Sequence, residues 1–188
     1  IFDTTPFFSL SNAVSPDGSA WVIEDVIWRN GRKEPGTDGC GFGAVWSPDG
    51  AWLACGGLAE GKAGIVKVQT TEGSQRILVA ENGQSPAWSP DSMQIAFLRR
   101  FGREYELWVV SSDGSNSRMI HPKAVIGGTA WSPDGQAIAF VMFDAPIPGG
   151  WPEIFVIRPD GSGLTQLTHT RETKVGVPRL MSGQAWTK

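Results

Sequence analysis

Apolar residues in this chain come in short runs that stop at Pro, Gly, Asp or Ser. Trp52-Leu53-Ala54-Cys55, Gln94 to Leu98 and Ile138-Ala139-Phe140 are rich in aliphatic and aromatic side chains and predict short strands. An amphipathic helix needs apolar residues three or four apart over a longer span. Pro and Gly interrupt every such span here, so the pattern predicts an all-β fold.

The runs recur in register. Ala44-Val45-Trp46-Ser47-Pro48-Asp49-Gly50 returns as Pro86-Ala87-Trp88-Ser89-Pro90-Asp91-Ser92 and as Thr129-Ala130-Trp131-Ser132-Pro133-Asp134-Gly135. The intervals are 42 residues from Trp46 to Trp88 and 43 from Trp88 to Trp131. A weaker copy, Ala13-Val14-Ser15-Pro16-Asp17-Gly18, has Val14 in place of the Trp, and Gln184-Ala185-Trp186-Thr187 opens like one more unit. The second half repeats too: Glu106-Leu107-Trp108-Val109-Val110 and Glu153-Ile154-Phe155-Val156-Ile157 each lead to an Asp-Gly-Ser turn and a further apolar strand. In the unit that opens at Pro86, four strands are expected: Pro86 to Trp88, Gln94 to Leu98, Tyr105 to Val110 and Ser117 to Ile120. Four short strands at a period of about 40–45 residues form a propeller blade.

The Ser-Pro-Asp-Gly turn has a physical logic. Pro presets φ, Asp bonds its own backbone, and Gly accepts positive φ. Pairing Trp46 opposite Ala51 would close a tight turn and place each Trp between adjacent blades, where a large flat ring buries much area. Trp46, Pro48, Asp49, Trp88, Pro90, Asp91, Trp131, Pro133 and Asp134 are therefore the structural repeat residues.

These motifs resemble the WD40-like PD40 repeat of TolB-type β-propellers. Residues 129–169 match best, through Trp131 to Gly135, Ile138-Ala139-Phe140, Glu153 to Ser162 and Leu164 to Thr168, and residues 44–169 carry the match in three copies. The resemblance implies four-stranded antiparallel blades about a central channel, acting as a protein-binding platform or as the substrate-gating part of a prolyl-oligopeptidase-like serine peptidase. The expected architecture is one propeller domain of about four to five blades in an incomplete or irregular ring. Its divisions are an irregular first blade over 1–42, blades over 43–85 and 86–128, a blade with insertions over 129–182, and the start of a further blade or closing strand over 183–188. The first interval, 32 residues from Pro16 to Pro48, looks too short for a full blade.

A low blade count leaves edges to satisfy. The apolar segment Ile1 to Leu10 fits a closing strand within the chain or a strand donated to another copy, giving an oligomer or filament.

Composition narrows the partners. A net charge of −3 gives no basic field for nucleic acid. No stretch reaches the ~20 apolar residues of a membrane-spanning helix. The chain starts at Ile1 without a leader, as either a cleaved signal peptide or a trimmed chain would. Cys40 and Cys55 flank one expected hairpin, whose register puts Cys40 opposite Gly57 and Cys55 opposite Phe42. That offset favours two small core residues over a bridge.

No chemistry stands out, so no catalytic residue, metal site or cofactor is expected. His121 and His169 are loop residues past outer strands, without the clustered ligands zinc needs. Asp113-Gly114-Ser115-Asn116 and Asp160-Gly161-Ser162-Gly163 read as hairpin turns rather than calcium loops. Gly39-Cys40-Gly41-Phe42-Gly43 reads as a Gly-rich strand entry rather than a phosphate loop or thiol nucleophile. Adjacent Glu24 and Asp25 face opposite ways on a strand, and Glu104, Glu106, Arg99, Arg100 and Arg103 gather at one loop as a solvated charge cluster.

Long loops on a rigid scaffold carry recognition. Trp151, set among Pro and Gly, with Arg171, Lys174 and Arg179 beyond it, is the candidate partner-binding loop, against the alternative that Trp151 packs on its own blade. The functional expectation is a non-enzymatic protein-binding or assembly scaffold, periplasmic or at the cell surface, whose partner is another protein or further copies of itself. The alternative is the propeller portion of a larger hydrolase.

Overall fold

A computed structural model describes residues 13–23, 26–34, 40–70, 75–102, 104–145 and 150–170. They form strands and turns in antiparallel sheets, without helix apart from a single 3₁₀-type residue at Thr170. The first sheet has the order β1 (Ala13–Val14), β2 (Ala20–Ile23), β3 (Val26–Arg29), β4 (Arg32–Lys33). The second is β5 (Cys40–Trp46), β6 (Trp52–Ala59), β7 (Lys62–Gln69), β8 (Arg76–Glu81). The remaining strands are β9 (Gly83–Trp88), β10 (Gln94–Phe101), β11 (Glu104–Ser111), β12 (Arg118–Trp131), β13 (Ile138–Phe143), β14 (Pro152–Ile157) and β15 (Thr165–Gln166).

These last seven strands are hydrogen-bonded in one run, because β12 serves two blades. Its first part, Arg118 to Val125, pairs with β11 as the outer strand of the third blade. Its second part, Val125 to Trp131, pairs with β13 as the inner strand of the fourth. The fold is thus an all-β propeller of four-stranded blades. The inner strands β1, β5, β9 and β12 neighbour one another in that order.

The first unit is a correction to the sequence reading. Despite its 32-residue interval it forms a four-stranded sheet, with β4 only two residues long and β3 closed to β4 by Asn30-Gly31, both at positive φ. The turn geometry is a second correction. Trp46 pairs with Leu53, not Ala51, so the loop is longer than a tight hairpin. Its serine explains why. Ser47 Oγ donates to Asp49 Oδ1 (2.5 Å) and accepts the Trp52 N–H (2.9 Å), while Asp49 Oδ1 also accepts the Ala51 N–H (3.0 Å). Side chains thereby satisfy backbone groups that a two-residue turn would leave to the ladder. The same cage recurs around Ser15–Asp17, Ser89–Asp91 and Ser132–Asp134.

Three hydrophobic clusters lie between blades. Ala20, Val22 and Ile27 of the first blade meet Trp46, Leu53 and Cys55 of the second. Val45, Ala54 and Ile65 of the second meet Trp88, Ile95 and Phe97 of the third. Ala96, Leu98 and Leu107 of the third meet Trp131, Ile138 and Phe140 of the fourth. Each buried Leu, Ile or Phe contributes about 1.5–3 kcal/mol of transfer free energy, so the seams are the core.

The inner strands share a bulge three residues ahead of the Trp position. Gly43, Ser85 and Gly128 all take positive φ there, and the pairing register slips at each. A further bulge near Cys40 bears on the cysteines. Cys40 pairs with Gly57 as expected, but Phe42 pairs with Gly56, so Cys55 is not opposite Phe42. The extra residue brings Cys40 within 5.4 Å (Cα to Cα) of Cys55, and the two are joined in a disulfide. The expectation of two unbridged core cysteines is corrected accordingly.

Candidate functional site

Strand polarity gives the propeller two ends. The Ser-Pro-Asp turns that follow each inner strand lie at one end. The hairpins from β6 to β7 and from β10 to β11, and the loop from β13 to β14, lie at the other.

At the Ser-Pro-Asp end the repeat residues are committed to structure. The exposed turn residues Pro48 and Asp49, Pro90 and Asp91, and Pro133 and Asp134 stack along the blades. Ser92 Oγ accepts the Asp49 N–H (3.1 Å) of the preceding blade, and Gly135 lies against Pro90 so closely that a Cβ would stand 3.8 Å from its ring. Behind the turns, Trp88 Nε1 donates to the Val45 carbonyl (3.2 Å) and Trp131 Nε1 to the Ala87 carbonyl (3.1 Å), each crossing a seam. Trp46 is buried at the equivalent position. Hydrogen bonds from Ser15 and Ser19 hold the Asp17 carboxyl down to about 2, and bonds from Ser89 and Met93 lower Asp91. Serine hydroxyl and backbone bonds likewise lower Asp113, Asp134 and Asp160. These carboxylates are poor general acids, because their hydrogen bonds favour the ionised form.

The opposite end is different. Its tips expose large apolar side chains on successive blades: Leu58 (61 % exposed), Phe101 (61 %) and Trp151 (53 %). Each rides on a rigid base. The β6–β7 tip is a two-residue turn, Glu60-Gly61, at φ 54° and 75°, flanked by a Lys62–Glu81 ion pair (2.5 Å). Phe101 ends a β10–β11 ladder paired without slip from Gln94↔Ser111 to Phe101↔Glu104. The base of the Trp151 loop is closed by a reciprocal pair: the Asp144 N–H donates to the Trp151 carbonyl (3.0 Å), and the Trp151 N–H donates to Asp144 Oδ1 (2.7 Å).

Below Trp151, Glu153 is fully buried. It accepts the Thr170 N–H (2.6 Å), the Thr170 hydroxyl (2.7 Å) and the Thr168 hydroxyl. Burial pushes its carboxyl up, but these bonds and His169 together outweigh that and hold it below its ordinary value. Sequence patterning does not find such a group, because a carboxylate in a strand normally reads as exposed. On the third blade, the Arg99 guanidinium lies over the Trp108 ring (3.9 Å), and Trp108 Nε1 donates to Glu106 Oε2 (2.8 Å). Arg99 thus stacks on an aromatic instead of joining a loose charge cluster.

Other sequence candidates fall as follows. Trp151 is at the rim and 53 % exposed, whereas Arg171, Lys174 and Arg179 lie outside the described residues. So do Ile1 to Leu10, Glu24, Asp25, Arg103 and Trp186. His121 is inside β12 rather than in a loop, with its ring against Phe140 (5.5 Å), and burial lowers its pKa. Cys40, once a conceivable nucleophile, is tied up in the disulfide. Among the described residues no three His, Cys, Asp or Glu side chains are placed to hold a metal ion, and no helix is long and apolar enough to cross a membrane. Sequence patterning does not single out Leu58 and Phe101, because a lone apolar residue beside Gly or Arg reads the same whether it packs on the sheet or projects from a hairpin tip.

Comparison with known proteins agrees with this architecture. No family model matches the chain. The Tol-Pal system protein TolB of Anaeromyxobacter dehalogenans is 34 % identical over 148 residues, covering 78 % of this chain and 31 % of that protein. The chain therefore spans under a third of that relative's length. Among solved structures, a putative TolB from Agrobacterium tumefaciens superposes with TM-score 0.67 at 22 % identity, covering 84 % of this chain and 61 % of that one. TolB from Acinetobacter baumannii superposes with TM-score 0.55 at 20 % identity, covering 85 % and 43 %. The chain is a TolB-like β-propeller.

Proposed function

We propose that this TolB-like β-propeller is a non-enzymatic protein-binding scaffold, working in the periplasm or at the cell surface, and that it docks a component of a Tol-Pal system. One observation carries the reading: Leu58, Phe101 and Trp151 project from three successive blades at the same end of a rigid sheet framework. Exposed aromatics on preorganised elements bind protein surfaces at low ordering cost. The Tol-Pal assignment comes from the name of the Anaeromyxobacter relative. The Cys40–Cys55 disulfide supports an oxidising compartment. Association between copies belongs to the same reading.

The test is calorimetric titration of the chain with purified Pal from a Tol-Pal system of the Anaeromyxobacter type. Trp151→Ala and Phe101→Ala are expected to weaken binding at least tenfold, about 1.4 kcal/mol each, without lowering the melting temperature. Met93→Ala, at the Ser-Pro-Asp end, leaves it unchanged. Absence of binding, or equal losses at both ends, contradicts the proposal.

A further inference from the structure

The third blade carries a cation that its own fold does not use. Arg99 follows Phe97 by two residues, as Gly57 follows Cys55 in the second blade and Met142 follows Phe140 in the fourth. The ladders make these one repeat position, since Phe97↔Trp108, Cys55↔Val66 and Phe140↔Phe155 are matching pairs. Glycine and methionine occupy it elsewhere, so the blade architecture needs no charge there.

Arg99 is half-buried and held in place. Its guanidinium carbon stands 3.9 Å from the centre of the Trp108 ring and 5.4 Å from that of Phe97. Stacking on an aromatic face fixes the side chain without using its N–H groups. Those donors remain unspent. Nε is buried with no acceptor, and no hydrogen bond or ion pair joins the guanidinium to a described residue. Glu106 lies directly across the strand pair, but it accepts the Trp108 indole N–H and forms no ion pair with Arg99. The next residue, Arg100, is engaged instead: its Nε donates to the Gly102 carbonyl (3.2 Å).

The position is at the rim. Arg99 and Phe101 are two residues apart on β10 and share a face, and Phe101 is one of the exposed tips. Both flanking blades at this seam are described, so the site is bounded on each side by residues of known position. A fixed cation without an internal acceptor, beside an apolar anchor, is complementary to an acidic side chain next to an apolar one. A carboxylate accepts two parallel bonds from a guanidinium fork, and the stacking already in place lowers the cost of ordering it.

We propose that Arg99 is the specificity-determining residue of the rim, pairing with an aspartate or glutamate of the docked protein while Phe101 takes the neighbouring apolar side chain. This role rests on the reading of the rim as a protein-binding surface.

Two measurements test it and separate its failure from the failure of that reading. In calorimetric titration with Pal, Arg99→Gln should weaken binding at least tenfold and flatten its dependence on salt. Arg99→Lys should recover only part of the loss, because an ammonium does not present the planar fork. The second measurement needs no protein partner. The Arg99 Nε–H resonance of the full chain, assigned by its loss in Arg99→Lys, is followed by nitrogen-15 NMR during addition of sodium acetate, which stands in for an aspartate side chain. A saturable shift is expected, with a Kd on the order of 10 mM, as one charge-assisted pair implies, and sodium chloride at equal ionic strength should give none. If Pal does not bind, the Tol-Pal reading fails and the acetate titration alone decides. Absence of a saturable acetate shift, or a Pal affinity indifferent to Arg99→Gln, would overturn the proposal.

Discussion

The indole N–H of Trp88 donates to the carbonyl of Val45 at 3.2 Å, joining two blades through residues 43 positions apart. The bond is buried, and Trp131 repeats it onto Ala87 one blade later. A large ring at a seam therefore fills volume and also ties its blade to the neighbouring inner strand through a buried hydrogen bond. Trp88→Phe is expected to keep most of the packing and lose the bond, costing about 1–3 kcal/mol in urea unfolding with the m-value unchanged.

Glu60 occupies a left-handed position, φ 54°, ahead of Gly61 in the β6–β7 turn. Asn30, ahead of Gly31 in the two-residue β3–β4 turn, takes the same left-handed geometry (φ 50°), and asparagine is the residue that suits it. Glu60→Asn is predicted to stabilise the protein by about 1 kcal/mol, read as a higher urea midpoint. No change or a loss would show that the turn tolerates Glu at no cost.

Acid should expose the turn carboxylates. Asp17 is lowered from 3.8 to about 2, and Asp91, Asp113, Asp134 and Asp160 are lowered as well. A depressed carboxylate contributes stability that is fully present above its unfolded value and lost as pH falls through its folded value. The urea midpoint should therefore be insensitive to these groups near neutral pH and fall between 3.8 and about 2. Ser132→Ala, which removes the hydroxyl donor to Asp134, should make that fall shallower.

The disulfide closes a 15-residue loop around the β5–β6 hairpin. Constraining a loop of that length in the unfolded chain is worth about 3 kcal/mol. Replacing both cysteines with alanine should lower stability by roughly that amount, measured against the oxidised protein under non-reducing conditions.

The blades were legible because their signals are local: a Trp, a Ser-Pro-Asp turn and an alternating strand at a fixed interval. What the sequence hid was non-local or depended on one atom. Trp46 pairs with Leu53 rather than Ala51 because the Ser47 hydroxyl lengthens the turn. Cys40 reaches Cys55 through a bulge that no pattern of apolar residues encodes. Glu153 is buried because Thr168 and Thr170 return to it from 15 and 17 residues away. The rim needed the fold, since only the alternation of strand direction brings Leu58, Phe101 and Trp151 to one end.

Hydrogen exchange on the chain with and without added Pal tests the proposed rim most directly. The account predicts slowed exchange over residues 58–62, 101–104 and 143–151, with the Ser-Pro-Asp turns at 47–51, 89–93 and 132–137 unchanged. Protection of those turns instead, with the hairpin tips still exchanging freely, would contradict it.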